Sequence, residues 1–213
     1  MLRELIIAPH PDDEVIGCGG TISKLLDRKH EVGIIYLSSG NQIQTTREQE
    51  AKEVCNYFSI GYFEFLGLNG ASFSASLPNV QELMHIFSDF RPDLVFVNHR
   101  DDSDPEHKLA YDLASQAFWR YNEQHTQRQI RGMAYYEIHK PMSKYHLVED
   151  ISDVMSIKLE ALGLYKSQLA NAPWDRAVEG LNKFRGAMHE GYDYAEVFQL
   201  HKLKNLSEVL SSE

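Results

Sequence analysis

The chain has 213 residues, 43% of them apolar and 24% charged, with 21 Lys and Arg against 31 Asp and Glu for a formal charge of −10. These values describe a folded chain with a sizeable core and exclude a disordered or low-complexity protein, and the acidic balance excludes nucleic acid as a general partner. The two cysteines, Cys18 and Cys55, make no CxxC pair and no disulfide framework, so a reducing cytoplasm is expected; Leu5-Ile6-Ile7-Ala8 is too short for a secretory signal, and no run approaches the roughly 18 apolar residues of a membrane span.

In chain order, Leu5 to Ala8 reads as a buried strand, followed by a polar loop and a helix over Gly17 to Lys29. Val32 to Leu37 is a second strand and closes a strand–helix–strand unit of the parallel-sheet kind. A helix over Thr45 to Phe58, a strand over Tyr62 to Leu66 and a helix over Asn79 to Phe90 follow. Leu94 to Val97 is a fully apolar strand, and His107 to Tyr121 a helix. The alternation predicts an α/β fold: an open, mostly parallel Rossmann-like sheet with helices on both faces. A C-terminal extension is predicted as strands Met133 to Ile138 and His146 to Val148 paired together, a long helix Ile151 to Leu169, a helix Ala177 to Met188 and a closing strand Tyr194 to Leu200. No linker or internal repeat divides the chain, so residues 1–213 are expected to form one domain.

Active sites of parallel α/β sheets form beyond the carboxyl ends of the strands. Two segments in such positions are dense in metal-ligand side chains: His10-Pro11-Asp12-Asp13-Glu14 after the first strand, and His99 through His107 after Leu94 to Val97. If these strands are neighbours, the loops meet. Two histidines and a carboxylate suffice for a catalytic zinc with an open water position, and a spare carboxylate beside it can take the water's proton. Singly, Asp12 or Asp104 would read as a helix cap. Gly17-Cys18-Gly19-Gly20 is neither a GxGxxG nor a Walker A sequence, and is read as a tight loop-to-helix turn. Cys18 is read as a small buried residue, and Ser38-Ser39-Gly40 as a polar loop at the pocket rim. The aromatic residues Tyr135, Tyr136, Trp119 and Trp174 are candidates for stacking on a sugar face.

These motifs carry a resemblance. Ala8-Pro9-His10-Pro11-Asp12-Asp13-Glu14 resembles the (A/P)HPDDE motif of the PIG-L/LmbE-like N-acetylglucosaminyl deacetylases, and Asp104-Pro105-Glu106-His107 their HPDH motif. Thr46 to Ala51, Phe65-Leu66-Gly67-Leu68, Lys158 to Gln168 and Tyr194 to Phe198 are similar to further family segments in the same order. The resemblance implies a zinc-dependent hydrolase, or one using another divalent metal, that removes an acetyl group from an acylated amino sugar, in relatives that often assemble as homo-oligomers. By position it implies His10, Asp13 and His107 as metal ligands and Asp12 as general base. It also implies Arg47 as a substrate-facing residue and Asn69, near a family aspartate, as a further substrate-binding residue. Asp104 stands where many relatives carry a catalytic histidine. It is expected to be a supporting catalytic group, with His99 as a substrate-side imidazole and His139 as a more distant one. The competing expectations are a metal-dependent amidase or deformylase on a non-sugar amide, and a metal-retaining sugar-binding protein without turnover.

Overall fold

The computed structural model describes residues 2–40, 44–189 and 191–201. Strand β1 (Arg3–Ala8), helix α1 (Asp13–Asp27) and strand β2 (Glu31–Tyr36) form the first unit. Helix α2 (Gln44–Tyr57), β3 (Tyr62–Phe65), α3 (Leu77–Phe90), β4 (Leu94–Asn98), α4 (Pro105–Gln124) and β5 (Gly132–Tyr136) follow. The chain continues through β6 (Leu147–Asp150), α5 (Met155–Leu162), α6 (Lys166–Leu169), α7 (Trp174–Ala187) and β7 (Ala195–His201). The strands lie in the order β3-β2-β1-β4-β5-β7-β6, an open, mixed and mostly parallel sheet. β1 is parallel to β2 on one side and to β4 on the other. This is the point where the strand order reverses, and the crevice forms there. Ile7 is in register with Val97, so the loops after β1 and β4 leave the sheet side by side.

The period-two alternation of the strands sorts residues between two apolar layers. Leu5 and Ile7 face a layer with Phe87 of α3 and Leu113 of α4, while Ile6 and Ala8 face a layer with Val15 of α1, Ala51 of α2 and Ala161 of α5. Leu5, Ile6 and Ile7 are fully buried, each contributing about 1.5–3 kcal/mol of apolar transfer.

Three expectations are corrected. β5 and β6 do not pair with each other: β7 lies between them, antiparallel to both. The segment joining β5 to β6 carries Pro141 and is folded onto other partners, with His139 N–H donating to Asp102 Oδ2 at 3.0 Å, so it cannot close a hairpin. The long helix is two helices, α5 and α6. It breaks at Gly163 to Tyr165, where the poor helix former Gly163 lets fully buried Tyr165 turn its hydroxyl inward onto Glu14. The glycines lie inside α1 and make no loop-to-helix turn. A Cβ on Gly17 would stand 2.1 Å from the Tyr136 ring, and one on Gly20 would stand 2.6 Å from Ile151.

Helix α1 is interrupted at Cys18 (φ −146°, ψ 24°). The interruption releases two backbone groups that side chains then satisfy. Ile16 C=O accepts from Lys158 Nζ at 2.9 Å, and Gly20 N–H donates to Glu196 Oε1 at 2.9 Å. In a regular helix those two groups would bond each other. Cys18 is fully buried, and burial pushes its thiol pKa well up.

Candidate active site

The loop after β1 turns sharply into α1. Asp12 adopts φ 116°, a conformation that costs a non-glycine residue of order 1–3 kcal/mol and persists only where the surroundings enforce it. Here its own backbone is held on both sides: Asp12 N–H donates to Glu14 Oε2 at 3.1 Å, and Asp12 C=O accepts from Ile16 N–H at 2.9 Å. Glu14 is fully buried beneath the turn and also accepts from the hydroxyls of Tyr36 and Tyr165. Burial raises its pKa to about 7 against the lowering effect of the Tyr165 bond.

The loop after β4 delivers the second half of the site. Pro105 opens α4, and Asp104 caps it, its carboxylate accepting from Glu106 N–H at 2.7 Å. This is a favoured arrangement for a helix start. It directs His107 inward, where the residue is wholly buried. Asp13 Oδ2 then stands 3.2 Å from His10 Nδ1 and 3.3 Å from His107 Nε2. The ligand atoms of His10, Asp13 and His107 all lie within 4.8 Å of one another. Edges of roughly 3.3–3.4 Å are what a tetrahedral zinc with bonds of about 2.0–2.1 Å requires.

The outer nitrogens also find carboxylates. His10 Nε2 is 2.6 Å from Glu106 Oε2, and His107 Nδ1 is 3.0 Å from Asp102 Oδ1. Metal-bound imidazoles commonly rest on such partners. Both His107 nitrogens are nevertheless buried without an aligned hydrogen bond among the described residues. A buried polar atom left in this state is costly, and a cation placed among these three side chains removes the cost at Nε2. The donor set fits a divalent metal.

Without a metal the cluster holds protons. Burial works against the charged imidazoles, but Asp13 and Glu106 raise His10 to about 9, and Asp13 and Asp102 raise His107 to about 10. Burial would raise Asp13, yet His107 and His10 hold its carboxyl well below the usual range. Asp12 moves the other way: burial first and then the Asp13 charge push it well up, while Arg47 opposes them. No described residue hydrogen-bonds the Asp12 carboxylate, and the Arg47 guanidinium lies 4.0 Å from it.

The other residues expected from sequence are placed less uniformly. Arg47 stands at the site, its guanidinium donating to Gln168. Asn69 accepts from Ser38 Oγ at 2.8 Å and donates to Gly67 C=O at 3.1 Å, bracing the loop after β3 against that after β2. Ser38 and Ser39 are buried and do not line a rim. Asp104, read as a supporting catalytic group, has its carboxylate engaged in capping α4. His99, read as a substrate-side imidazole, is buried with both ring nitrogens on backbone: Nε2 is 2.7 Å from Lys140 O, and Nδ1 accepts from Asp101 N–H at 3.2 Å. His139 stacks on His107 at 4.7 Å and on Trp174 at 5.0 Å. Tyr135 and Tyr136 are core residues, and Tyr136 donates to Ile7 C=O at 2.8 Å. Trp119 packs near His201, at the end of β7. Of the four aromatic candidates, Trp174 is the one beside the site. Asp102, Glu106 and Tyr165 are the participants that sequence reasoning missed. The signal available for the first two was their acidity within five residues of a proposed ligand.

The family model described as "PIG-L: GlcNAc-PI de-N-acetylase" matches residues 5–118. The diacetylchitobiose deacetylase of Thermococcus kodakarensis is 26% identical over 91% of this chain and 81% of its own length. The conserved protein TT1542 of Thermus thermophilus superposes with a TM-score of 0.83 at 25% identity, over 93% of this chain and 94% of its own. The 4-carboxy-2-hydroxymuconate hydratase GalB of Pseudomonas putida reaches a TM-score of 0.82 at 18% identity, over 97% of this chain and 100% of that one. The fold therefore houses more than one chemistry, as common folds do. The family match takes in both loops that build the cluster, and this chain belongs to the PIG-L family.

Proposed function

We propose that the chain is a zinc-dependent N-deacetylase that hydrolyses the acetamido group of an N-acetylglucosamine-type conjugate, with residues 1–213 acting as one catalytic domain. The observation that carries this reading is the buried His10–Asp13–His107 group with the Asp12 carboxylate beside it, in a chain of this family. The similarity to a diacetylchitobiose deacetylase supports the acetylated sugar as substrate.

His10, Asp13 and His107 hold the ion, and Glu106 and Asp102 orient the two imidazoles. A divalent ion there supplies Lewis acidity to the amide carbonyl and lowers the pKa of a water toward about 7. Asp12 accepts the proton of the attacking water and returns it to the departing amine. The backbone at Asp12, at φ 116°, holds its carboxylate 4.0 Å from the Arg47 guanidinium. Arg47, anchored by Gln168, tempers the Asp12 pKa and faces the substrate. Asp12 can serve as both base and acid, so no imidazole is needed at position 104.

The test is acetate release from a panel of N-acetylglucosaminyl conjugates and simple acyl amides, using metal-stripped protein with zinc or other divalent ions added back. Metal-dependent release from the sugars supports the reading. Equal rates on simple amides would make the chain a general amidase, and binding without release would make it a binding protein.

A further inference from the structure

Resting on the deacetylase reading, we infer that Gln168 is a positioning residue that holds the Arg47 guanidinium off the Asp12 carboxylate, and that the segment from Tyr165 to Gln168 sets the gap between the base and that cation.

The gap is narrow and unbridged. Arg47 Nη2 lies 4.0 Å from Asp12 Oδ1, beyond the roughly 2.7–2.9 Å of a charge-assisted hydrogen bond. Both side chains are largely buried, where opposite charges attract with little screening. A long, rotatable arginine left to itself would close that distance and pair with the carboxylate bidentately. It is held back at the nitrogen nearest Asp12, because Nη2 donates to Gln168 Oε1. On another flank Gly40, at φ 75°, passes so near that a Cβ there would stand 3.3 Å from Nη1. Arg47 Nε is buried with no hydrogen-bond partner among the described residues. The guanidinium is therefore fixed by Gln168 and by packing, and not by a completed set of its own bonds.

Gln168 can act as an anchor because it is itself held. It is buried, and its Nε2 donates to Ser167 Oγ at 2.9 Å. Ser167 in turn donates to the Glu50 carboxylate from its N–H, at 2.8 Å, and from its hydroxyl. Glu50 lies one turn beyond Arg47 on α2, so the anchor and the guanidinium it holds are referred to the same helix. Asp12 is tied to the same segment from the other side. Tyr165 donates to Glu14, and Glu14 accepts from Asp12 N–H at 3.1 Å. Four consecutive residues thus place both walls of the gap.

The gap has a chemical use. A general base must offer a free lone pair to the water, and a carboxylate locked to arginine has its lone pairs engaged. Held at 4.0 Å, Arg47 keeps its charge near Asp12 and leaves the carboxylate oxygens open.

The experiment measures kcat, KM and zinc content of the zinc-loaded enzyme, with the fastest substrate of the acetate-release panel. Crystal structures of the wild type and of Gln168→Met give a readout independent of turnover. Methionine keeps the length of the side chain and removes the acceptor. Gln168→Met is expected to bring Arg47 into hydrogen-bond contact with Asp12 and to lower kcat roughly tenfold to a hundredfold, with zinc content unchanged. Gln168→Glu restores an acceptor and should recover most of the loss. Ser167→Ala, which loosens Gln168 without deleting it, should lower kcat in the same direction and by less. In an Arg47→Ala background Gln168→Met should have no further effect, because the residue acts through Arg47. A purely structural Gln168 would instead lower activity equally in both backgrounds. Equal losses in the two backgrounds, or an Arg47–Asp12 separation unchanged in Gln168→Met, overturns the inference and leaves the deacetylase reading intact. Absence of turnover by the wild type across the panel would defeat the deacetylase reading instead, and the crystallographic separation would then decide the role of Gln168 alone.

Discussion

Helix α1 carries two buried charge clusters, one at its N-terminal turn and one at its interruption. At the interruption Lys158 Nζ donates to Ile16 C=O, Asn182 Oδ1 and Glu196 Oε1, and Glu196 accepts from Gly20 N–H, Thr21 N–H and Thr21 Oγ1 as well. Every proton of the ammonium is used. At the N-terminal turn the His10–Asp13–His107 group has similar burial and more charge, yet the His107 nitrogens are left without aligned partners, and Asp12 beside them is held in a strained backbone. Burial and charge alone do not separate a structural cluster from a functional one. What separates them is whether the protein's own atoms complete the hydrogen-bond inventory.

The largest effect should come from breaking the complete cluster. Lys158→Met leaves the Glu196 carboxylate buried without its counter-charge, which typically costs about 3–5 kcal/mol. Urea unfolding should register a loss of that order, and a loss below about 1 kcal/mol would break the contrast. Asp12→Asn removes the base while keeping the shape. Turnover should fall roughly 10²–10⁴-fold with zinc content unchanged, and near-normal turnover with bound zinc would remove Asp12 from its role. His107→Ala should abolish stoichiometric zinc in metal analysis.

A pH series sharpens the same contrast. His10 and His107 have folded pKa values raised to about 9 and 10 in the metal-free cluster, above the ordinary value of about 6.5. Groups shifted in this direction contribute stability that is fully present below about pH 6.5 and is lost as pH rises through the folded values. The melting temperature of metal-stripped protein should therefore fall between about pH 7 and pH 10. Metal-loaded protein, whose ligand imidazoles are already neutral, should lack that component, and zinc binding near pH 7 should release protons. Parallel melting curves with and without zinc would refute the protonated cluster. The smallest effect belongs to Asp104. Asp104→Ala should cost about 1 kcal/mol through the lost cap, and Asp104→Asn only a few tenths, because Asn caps as well as Asp.

Much of this was legible in the sequence where the information is local. The apolar strands, their alternation with helices and the His10–Asp13 segment directly after β1 all follow from periodicity and position, and the parallel sheet brings His107 to the same edge. The remainder depends on distant segments meeting. Nothing near residues 133–148 announces that β7 will be inserted between β5 and β6, since strand order is decided by which buried faces fit. The role of Glu106 depends on His10, 96 residues away. The glycines of α1 are explained by Tyr136 and Ile151, which sequence spacing does not bring near. Asp104 and His99 have a structural role as well as a place near the cluster, because polar groups there also terminate helices and pin loops.

The Glu196 bonds to Gly20 and Thr21 span 176 and 175 residues, and this bears on how the enzyme is made. At translation rates of roughly 5–20 residues per second, about 9–35 s separate the emergence of α1 from that of the carboxylate that completes it. During that interval Gly20 and Thr21 lack their acceptor, Lys158 lacks its counter-ion, and β5 presents an open edge where β7 will later pair. A nascent chain of this protein is thus committed to a late, C-terminal closing step of high contact order. Until that step the helix bearing Asp13 lacks the partners that satisfy its interruption.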